Sequence, residues 1–494
     1  MATSRNSFLD PKIIEFLNSF HKLVLEEALQ NGSDRNLKVV DFLQPEELKP
    51  LLHLPVNPEP ETAESILELC RRVIKYSVKT GHPRFFNQLY SGIDPFCLAG
   101  SWLTDALNTN IHTYEVAGVF ILVEQYLIDK LCDIVGYEDG DGLFCPGGSF
   151  SNMMAIHLAR FQRDSTVREK GLYQSPRLRL YCSKEAHYSM EKAALFLGIG
   201  TDNVIGISTD SRGCMLPDIL DMKILEDKET KGFEPTIVVA TCGTTVLGAF
   251  DPLPEIAEVC KRHGVWLHVD ACLGGGVLLS KKFKHRMAGI ERSDSIAWNF
   301  HKMSHANIQC SVLLLKDKGL LNKGNGLNAE YLFQPDKCYD VSYDIGDRTV
   351  QCGRRVDDLK LWIMWKALGD SGMADNIENA FKNAEYFQKL LSETEGFRLV
   401  LPEFQSTNIC FWYIPPSLRG QMETKEWWEK VGKVAPEIKR KMTVQGTMLI
   451  GYQPLSSKNL VNFFRIVILN PLCDFCDMDF VVSEIDRLGK DFIP

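Results

Sequence analysis

A lysine and a carboxylate open the chemistry of this chain. Lys302 closes the run Trp298-Asn299-Phe300-His301-Lys302, 32 residues after Asp270 in Trp266-Leu267-His268-Val269-Asp270-Ala271. Each run is apolar and ends on polar residues, the pattern of a strand in a parallel sheet, and α/β enzymes place reactive groups at the carboxyl ends of such strands. A lysine there can form an imine with a carbonyl compound. A carboxylate beside it can keep a pyridine nitrogen protonated and so make the ring an electron sink. The pair points to pyridoxal 5′-phosphate.

Other residues fit the same chemistry and also have plainer readings. Cys145-Pro146-Gly147-Gly148-Ser149-Phe150-Ser151-Asn152 precedes a helix predicted over 153–163. Glycines let the backbone approach an anion, and the N–H groups of a helix start, with the hydroxyls of Ser149 and Ser151, would bind a phosphate dianion. A Gly-Gly-Ser turn also serves simply to cap a helix. His187 follows a strand and can either stack on a flat ring or sit as a satisfied structural histidine. Cys473 and Cys476 have the spacing of a redox or zinc site, but no second Cys/His pair accompanies them, so they read as an ordinary loop and no metal is expected.

These residues need a scaffold. Short apolar runs at 178–182, 204–207, 236–241, 264–270, 295–299 and 310–315 alternate with helical stretches, 254–263 among them at crossover length. That alternation predicts an α/β domain over 86–360 built on a mostly parallel sheet. Residues 1–85 read as helical, with amphipathic stretches at 8–29 and 60–80. They hold too little core to stand alone, so the segment is expected to pack on a second subunit. Helices at 358–368 and 373–391 lead to short strands around 409–413 and 463–469, a smaller α+β domain over 361–494.

The chain of 494 residues carries a net charge of −9 and no dense basic run, which argues against a nucleic-acid partner. Its first residues hold no apolar run of signal-peptide length, and no segment approaches the roughly 18 apolar residues of a membrane span. With 15 scattered cysteines read as reduced thiols, the expected location is the cytoplasm.

With His82-Pro83-Arg84-Phe85-Phe86-Asn87-Gln88-Leu89, Gly243-Thr244-Thr245, Gln351-Cys352-Gly353-Arg354 and Asn462-Phe463-Phe464-Arg465 added, the chain resembles the group II pyridoxal-phosphate amino acid decarboxylases. The likeness runs through nearly its whole length. Within the family it resembles the acidic amino acid branch, which holds cysteine sulfinate, aspartate and animal glutamate decarboxylases. The resemblance implies fold type I and a homodimer with sites at the interface. It implies that Lys302 is the imine-forming lysine, that Asp270 partners the pyridine nitrogen, and that His187 stacks on the ring and assists protonation. Ser149, Ser151 and His301 would hold the phosphate, with Phe150, Thr244 and Asn299 also near the cofactor. Gln88 and Arg465 would contact substrate carboxylate. Tyr339, in a loop over 334–348 that closes over the site in relatives, would be the general acid.

The chain also departs from that pattern. Phe300 stands where relatives usually have proline, Leu273 where they have a large aromatic, and Gly118 where they have proline, while residues 304–307 are more polar than is common. His112 replaces the Phe of glutamate decarboxylases and the Tyr of the cysteine sulfinate and aspartate enzymes. It could add positive charge near an acidic substrate or fill the aromatic's space. Residues 90–95 and 246–251 lean toward the cysteine sulfinate and aspartate side, and Asn110 and Gly276 toward glutamate. The expected reaction is decarboxylation of cysteine sulfinate or aspartate, to hypotaurine on the route to taurine or to β-alanine. The alternative is glutamate to GABA. An aldehyde-forming oxidative deaminase and a non-catalytic paralogue are the remaining readings.

Overall fold

A computed structural model of the chain describes Phe8, residues 10–230 and residues 232–493. Residues 1–7, read above for a signal sequence, lie outside the described residues. The N-terminal segment is helical, as its periodicity predicts. Asp10 accepts the Lys12 N–H at 2.9 Å and Pro11 occupies the first turn, so Pro11–Leu23 starts with its donors satisfied. The helix runs on in π form over Val24–Gln30, and Thr62 caps a second helix, Ala63–Tyr76. A two-residue strand, β1 (Phe85–Phe86), follows.

The chain divides into two compact units. One comprises Met1–Gly92, Glu385–Val400 and Cys410–Pro494; the other comprises Ile93–Ala384 and Leu401–Ile409. This division joins the N-terminal segment to the C-terminal residues and extends the middle domain from 360 to Ala384. Within the first unit, the Val39 N–H donates to the Gly446 carbonyl at 2.8 Å, Arg35 pairs with Asp474 and Asp477, and Val39, Val40 and Phe85 pack with Leu449. Hydrophobic periodicity shows which face of a helix is buried, but not which distant segment covers it.

The second unit is built on a seven-stranded sheet of β2 (Asp141–Cys145), β3 (Arg177–Ser183), β4 (Val204–Ile207), β5 (Phe233–Thr241), β6 (Trp266–Asp270), β7 (Ser295–Asn299) and β8 (Ser311–Leu315), in the order β2-β8-β7-β6-β5-β3-β4. All run parallel except β8, which pairs antiparallel with β7 and β2 although its sequence reads like the others. The central strands β6 and β7 are buried on both faces, which explains their nearly continuous apolar sequences. The crossover Leu253–His263 ends on Gly264 at φ +62°, a left-handed C-cap that turns the chain into β6.

Register brings the chemistry to one edge. Asp270 pairs with Thr241 on one side and Ala297 on the other, and Ser311 of β8 pairs with both Asn299 and Cys145. The glycine turn after β2, the Asp270 turn after β6 and the lysine turn after β7 therefore leave the sheet together. Arg354 braces this edge from below. Its buried guanidinium donates to Glu124 Oε1 at 2.6 Å, the Phe144 carbonyl at 3.2 Å and the Ile111 carbonyl at 3.3 Å.

The first unit carries a second sheet of β1, β9 (Phe397–Leu399), β10 (Asn408–Tyr413), β11 (Leu449–Leu455) and β12 (Leu460–Val467), in the order β1-β11-β12-β10-β9. The two helices expected from 358 to 391 form one element, Asp358–Glu393, broken at Gly369, where φ is +66°. None of the fifteen cysteines forms a disulfide, and Asp474, between Cys473 and Cys476, caps the helix Phe475–Gly489. Among the described residues, no helix is long and apolar enough to cross a membrane.

Candidate active site

Lys302 leaves β7 in a tight turn, its N–H donating to the Asn299 carbonyl at 3.2 Å. Asp270 is 4 % exposed, and burial alone would push its carboxyl pKa up. The ammonium of Lys302 and donation from Cys272 outweigh burial and hold that pKa below the ordinary value. Asp270 is therefore an ionised carboxylate inside the protein. Its Oδ1 accepts the Cys272 N–H at 3.1 Å, and its Oδ2 accepts the Asn152 side-chain N–H at 3.0 Å.

His187 belongs to the same cluster. Burial lowers its pKa, and the charges of Asp270 and Lys302 act on it in opposite directions. Its Nδ1 lies 2.9 Å from Ser189 Oγ and accepts the Ser189 N–H at 3.2 Å. The neutral ring therefore carries its proton on Nε2. The Cys272 thiol, buried against Asp270, is pushed well up and stays protonated.

The glycine turn forms a small cradle. Gly147 has φ +96°, which a side chain rarely adopts, and a Cβ on Gly148 would collide with Cys272 Sγ and stand 2.8 Å from Asn299 Nδ2. The helix Gly148–Arg163 begins here, its first bonds running from Phe150 and Ser151 to the Gly147 carbonyl, with the Gly148 and Ser149 N–H groups ahead of them. Asn299 Oδ1 is buried beside the cradle without a hydrogen-bond partner. The expected phosphate residues divide: Ser149 is exposed at the helix start, whereas Ser151 is fully buried and turned toward the Gly147 carbonyl at 3.4 Å. His301 Nδ1 faces the backbone of Cys310, and Thr244 Oγ1 accepts the Ala249 N–H at 3.0 Å. Phe150 is half-buried and packs against the core beneath the turn.

Tyr339 is held on Asp344. Its hydroxyl donates to Asp344 Oδ1 at 3.0 Å, an atom that also accepts the Tyr114 N–H at 2.9 Å, while Lys337 Nζ lies 2.9 Å from Asp344 Oδ2. Its ring meets that of Tyr114 at 5.2 Å. His112 is buried, stacks on Phe333 at 5.5 Å and lies so close under Gly346 that no side chain fits there. Burial lowers its pKa, so it fills an aromatic's space as a neutral ring.

Gln88 and Arg465 belong to the first unit. Gln88 is exposed. Arg465 of β12 donates to the Asn87 carbonyl at 3.2 Å, and Lys439 donates to Asn87 Oδ1 at 2.7 Å. Asn152 and His268 were not singled out from sequence. A signal was available: His268 and Asp270 alternate onto one face of β6, and Ser295 lies opposite His268.

The family model of the pyridoxal-dependent decarboxylase conserved domain matches residues 45–414. The chain belongs to the pyridoxal-dependent decarboxylase family. It is 52 % identical to cysteine sulfinic acid decarboxylase of Homo sapiens over 98 % of this chain and 97 % of that protein. It is 51 % identical to acidic amino acid decarboxylase GADL1 of Mus musculus over 97 % of this chain and 86 % of that protein. The crystal structure of mouse CSAD, 50 % identical, superposes with a TM-score of 0.95 over 98 % of this chain and 100 % of that one. This decarboxylase uses pyridoxal 5′-phosphate, and the residues fit it. A buried carboxylate stands ready for a ring nitrogen, an amine for an aldehyde, and a helix start with an orphaned Asn299 oxygen beside it for a phosphate.

Proposed function

We propose that the chain decarboxylates a small acidic amino acid, cysteine sulfinate or aspartate, yielding hypotaurine or β-alanine. What carries the substrate reading is identity of about half over nearly the full length with proteins named for cysteine sulfinic acid and for acidic amino acids. Pyridoxal 5′-phosphate, when bound, supplies an electron-poor ring that takes up the electron pair left as CO2 departs. Lys302 provides the amine that tethers it, and Asp270 holds a fixed negative charge for its ring nitrogen. The Gly148 helix start and Ser149 hold its phosphate, with His301, Ser151, Phe150, Thr244 and Asn299 around them. His187 would stack on the ring and present its Nε2–H.

Gln88 and Arg465 would contact substrate carboxylate and help to orient it for loss of CO2. His112 shapes the acidic substrate's pocket as a neutral ring. Tyr339 delivers the proton to Cα from its hydroxyl after leaving Asp344. We further propose a homodimer in the cytoplasm. Phe96, Trp102, Leu103 and Leu107 on one helix and Val116, Val119, Leu122 and Tyr126 on another leave large apolar side chains exposed, the mark of an interface. The N-terminal segment also leaves Ile14, Leu17 and Phe20 exposed.

The test is amine and CO2 formation by the purified, cofactor-loaded protein offered cysteine sulfinate, aspartate, glutamate and an aromatic amino acid in parallel. Turnover of the two shorter acids supports the reading. Glutamate as sole substrate replaces it with GABA formation, and no turnover of any of the four overturns it.

A further inference from the structure

Behind Asp270 a chain of buried polar groups runs through the sheet. Trp266 Nε1 lies 2.8 Å from Ser295 Oγ, Ser295 Oγ 2.8 Å from His268 Nδ1, His268 Nε2 2.9 Å from Asn152 Oδ1, and Asn152 Nδ2 3.0 Å from Asp270 Oδ2. Asn152 Nδ2 also donates to Ser189 Oγ at 3.1 Å, and Ser189 Oγ lies 2.9 Å from His187 Nδ1. His268, Ser295, Asn152 and Ser189 are each no more than 1 % exposed.

The two ends impose one direction. The indole N–H of Trp266 can only donate, and an ionised Asp270 can only accept. The Asn152 amino group must therefore face Asp270, and its oxygen must face His268. That oxygen requires a proton on His268 Nε2, so the neutral ring accepts at Nδ1 from the Ser295 hydroxyl, which in turn accepts from Trp266. Proton bookkeeping closes at every atom with His268 neutral, and burial agrees, holding that ring's pKa at about 4. On the branch, Ser189 accepts from Asn152 and its hydroxyl donates a hydrogen bond to His187 Nδ1, so the neutral His187 keeps its proton on Nε2.

We infer that Asn152, steered by His268, is a positioning residue that orients the Asp270 carboxylate toward the cofactor's ring nitrogen and fixes the proton of His187 through the same amide. The inference rests on the proposed pairing of Asp270 with that nitrogen. An Asn side chain is nearly symmetric in shape, and the His268 donor adds to the pull of Asp270 itself against a turn that would put the amide oxygen onto Asp270 and replace attraction with repulsion. A hydrogen bond to a buried charge corresponds to about tenfold in an equilibrium constant.

The test compares binding of pyridoxal 5′-phosphate with that of a carbocyclic analogue in which C–H replaces the ring nitrogen, using the full-length cofactor-free chain. The affinity ratio reads the Asp270–nitrogen interaction apart from phosphate binding and from activity. Wild type is expected to prefer the natural cofactor. N152L and H268F should each narrow the ratio about tenfold, whereas H268Q, which keeps a donor near the Nε2 position, should preserve it. Should N152L fail to fold, the isosteric N152D is expected to narrow the ratio as well. A wild-type ratio retained in folded N152L, N152D and H268F overturns the inference. A wild type without preference overturns the pairing of Asp270 with the nitrogen itself, a result distinct from the first.

Discussion

The strand-end positions of Lys302 and Asp270 were legible from residue type and spacing, because a strand end is a position that sequence pattern can locate. Replacing Lys302 with Ala should remove the visible absorbance of lysine-bound cofactor and abolish turnover, measured by spectrophotometry and amine release; a surviving band would move the tether elsewhere. Tyr339 is different, since the structure holds its hydroxyl on Asp344. Tyr339→Phe should lower amine formation by about 10²-fold or more, the usual contribution of a positioned acid, with little change in cofactor affinity. Asn152 and His268 escaped the sequence reading for a physical reason. A hydrogen-bond relay joins two strands and two helices, and no periodicity within one segment encodes it. Ser151 reads as a phosphate ligand by its place in the turn, yet helical geometry rotates it inward, where it is fully buried.

The strands and the crossover were legible nearly to their ends, since double-sided burial writes itself as continuous apolar sequence. β2 and the direction of β8 were not, because an edge pairing depends on a partner far along the chain. Arg354 shows the same dependence: its motif marks a family likeness, while its buried fork onto Glu124, Phe144 and Ile111 gives that motif a mechanical role. Arg354→Met should destabilise the protein by about 3–5 kcal/mol by removing the cation paired with the buried Glu124, read as a lowered denaturant midpoint. Phe300, found where relatives usually have proline, is fully buried and stacks on Trp298 at 4.5 Å. Phe300→Ala should destabilise by about 3–5 kcal/mol. At Gly118 the usual proline is gone, but the bend it would favour persists, since Ala117 departs from helical geometry at φ −127° within Tyr114–Val135.

A monomer with this much exposed apolar surface on two neighbouring helices in sequence invites association. Leu103→Glu combined with Val119→Glu should convert a dimer to monomer in sedimentation velocity and leave the melting of secondary structure nearly intact; an unchanged sedimentation coefficient would place the interface elsewhere. Acid sensitivity is also a property of the whole fold. His268, His301 and His305 are held at about 4 by burial, against an ordinary value of 6.5. Below pH 6.5 the unfolded chain takes up protons that the folded chain refuses, so stability present in full above that pH is lost as pH falls toward 4. The slope is at most about 1.4 kcal/mol per pH unit for each ring. Asp251, raised to about 7, and the buried Asp358, also raised well above the ordinary carboxylate value, act in the opposite sense and offset part of this loss. Melting temperatures between pH 7 and 5 should fall, and H268Q should flatten the decline. Finally, Ser311 pairs on one side with the residue that opens the glycine turn and on the other with the residue that opens the lysine turn. One rung thus serves as a ruler between the anion cradle and the amine. The span between them is set by two inter-strand steps of the sheet, so a ligand of one length is measured the same way at every visit.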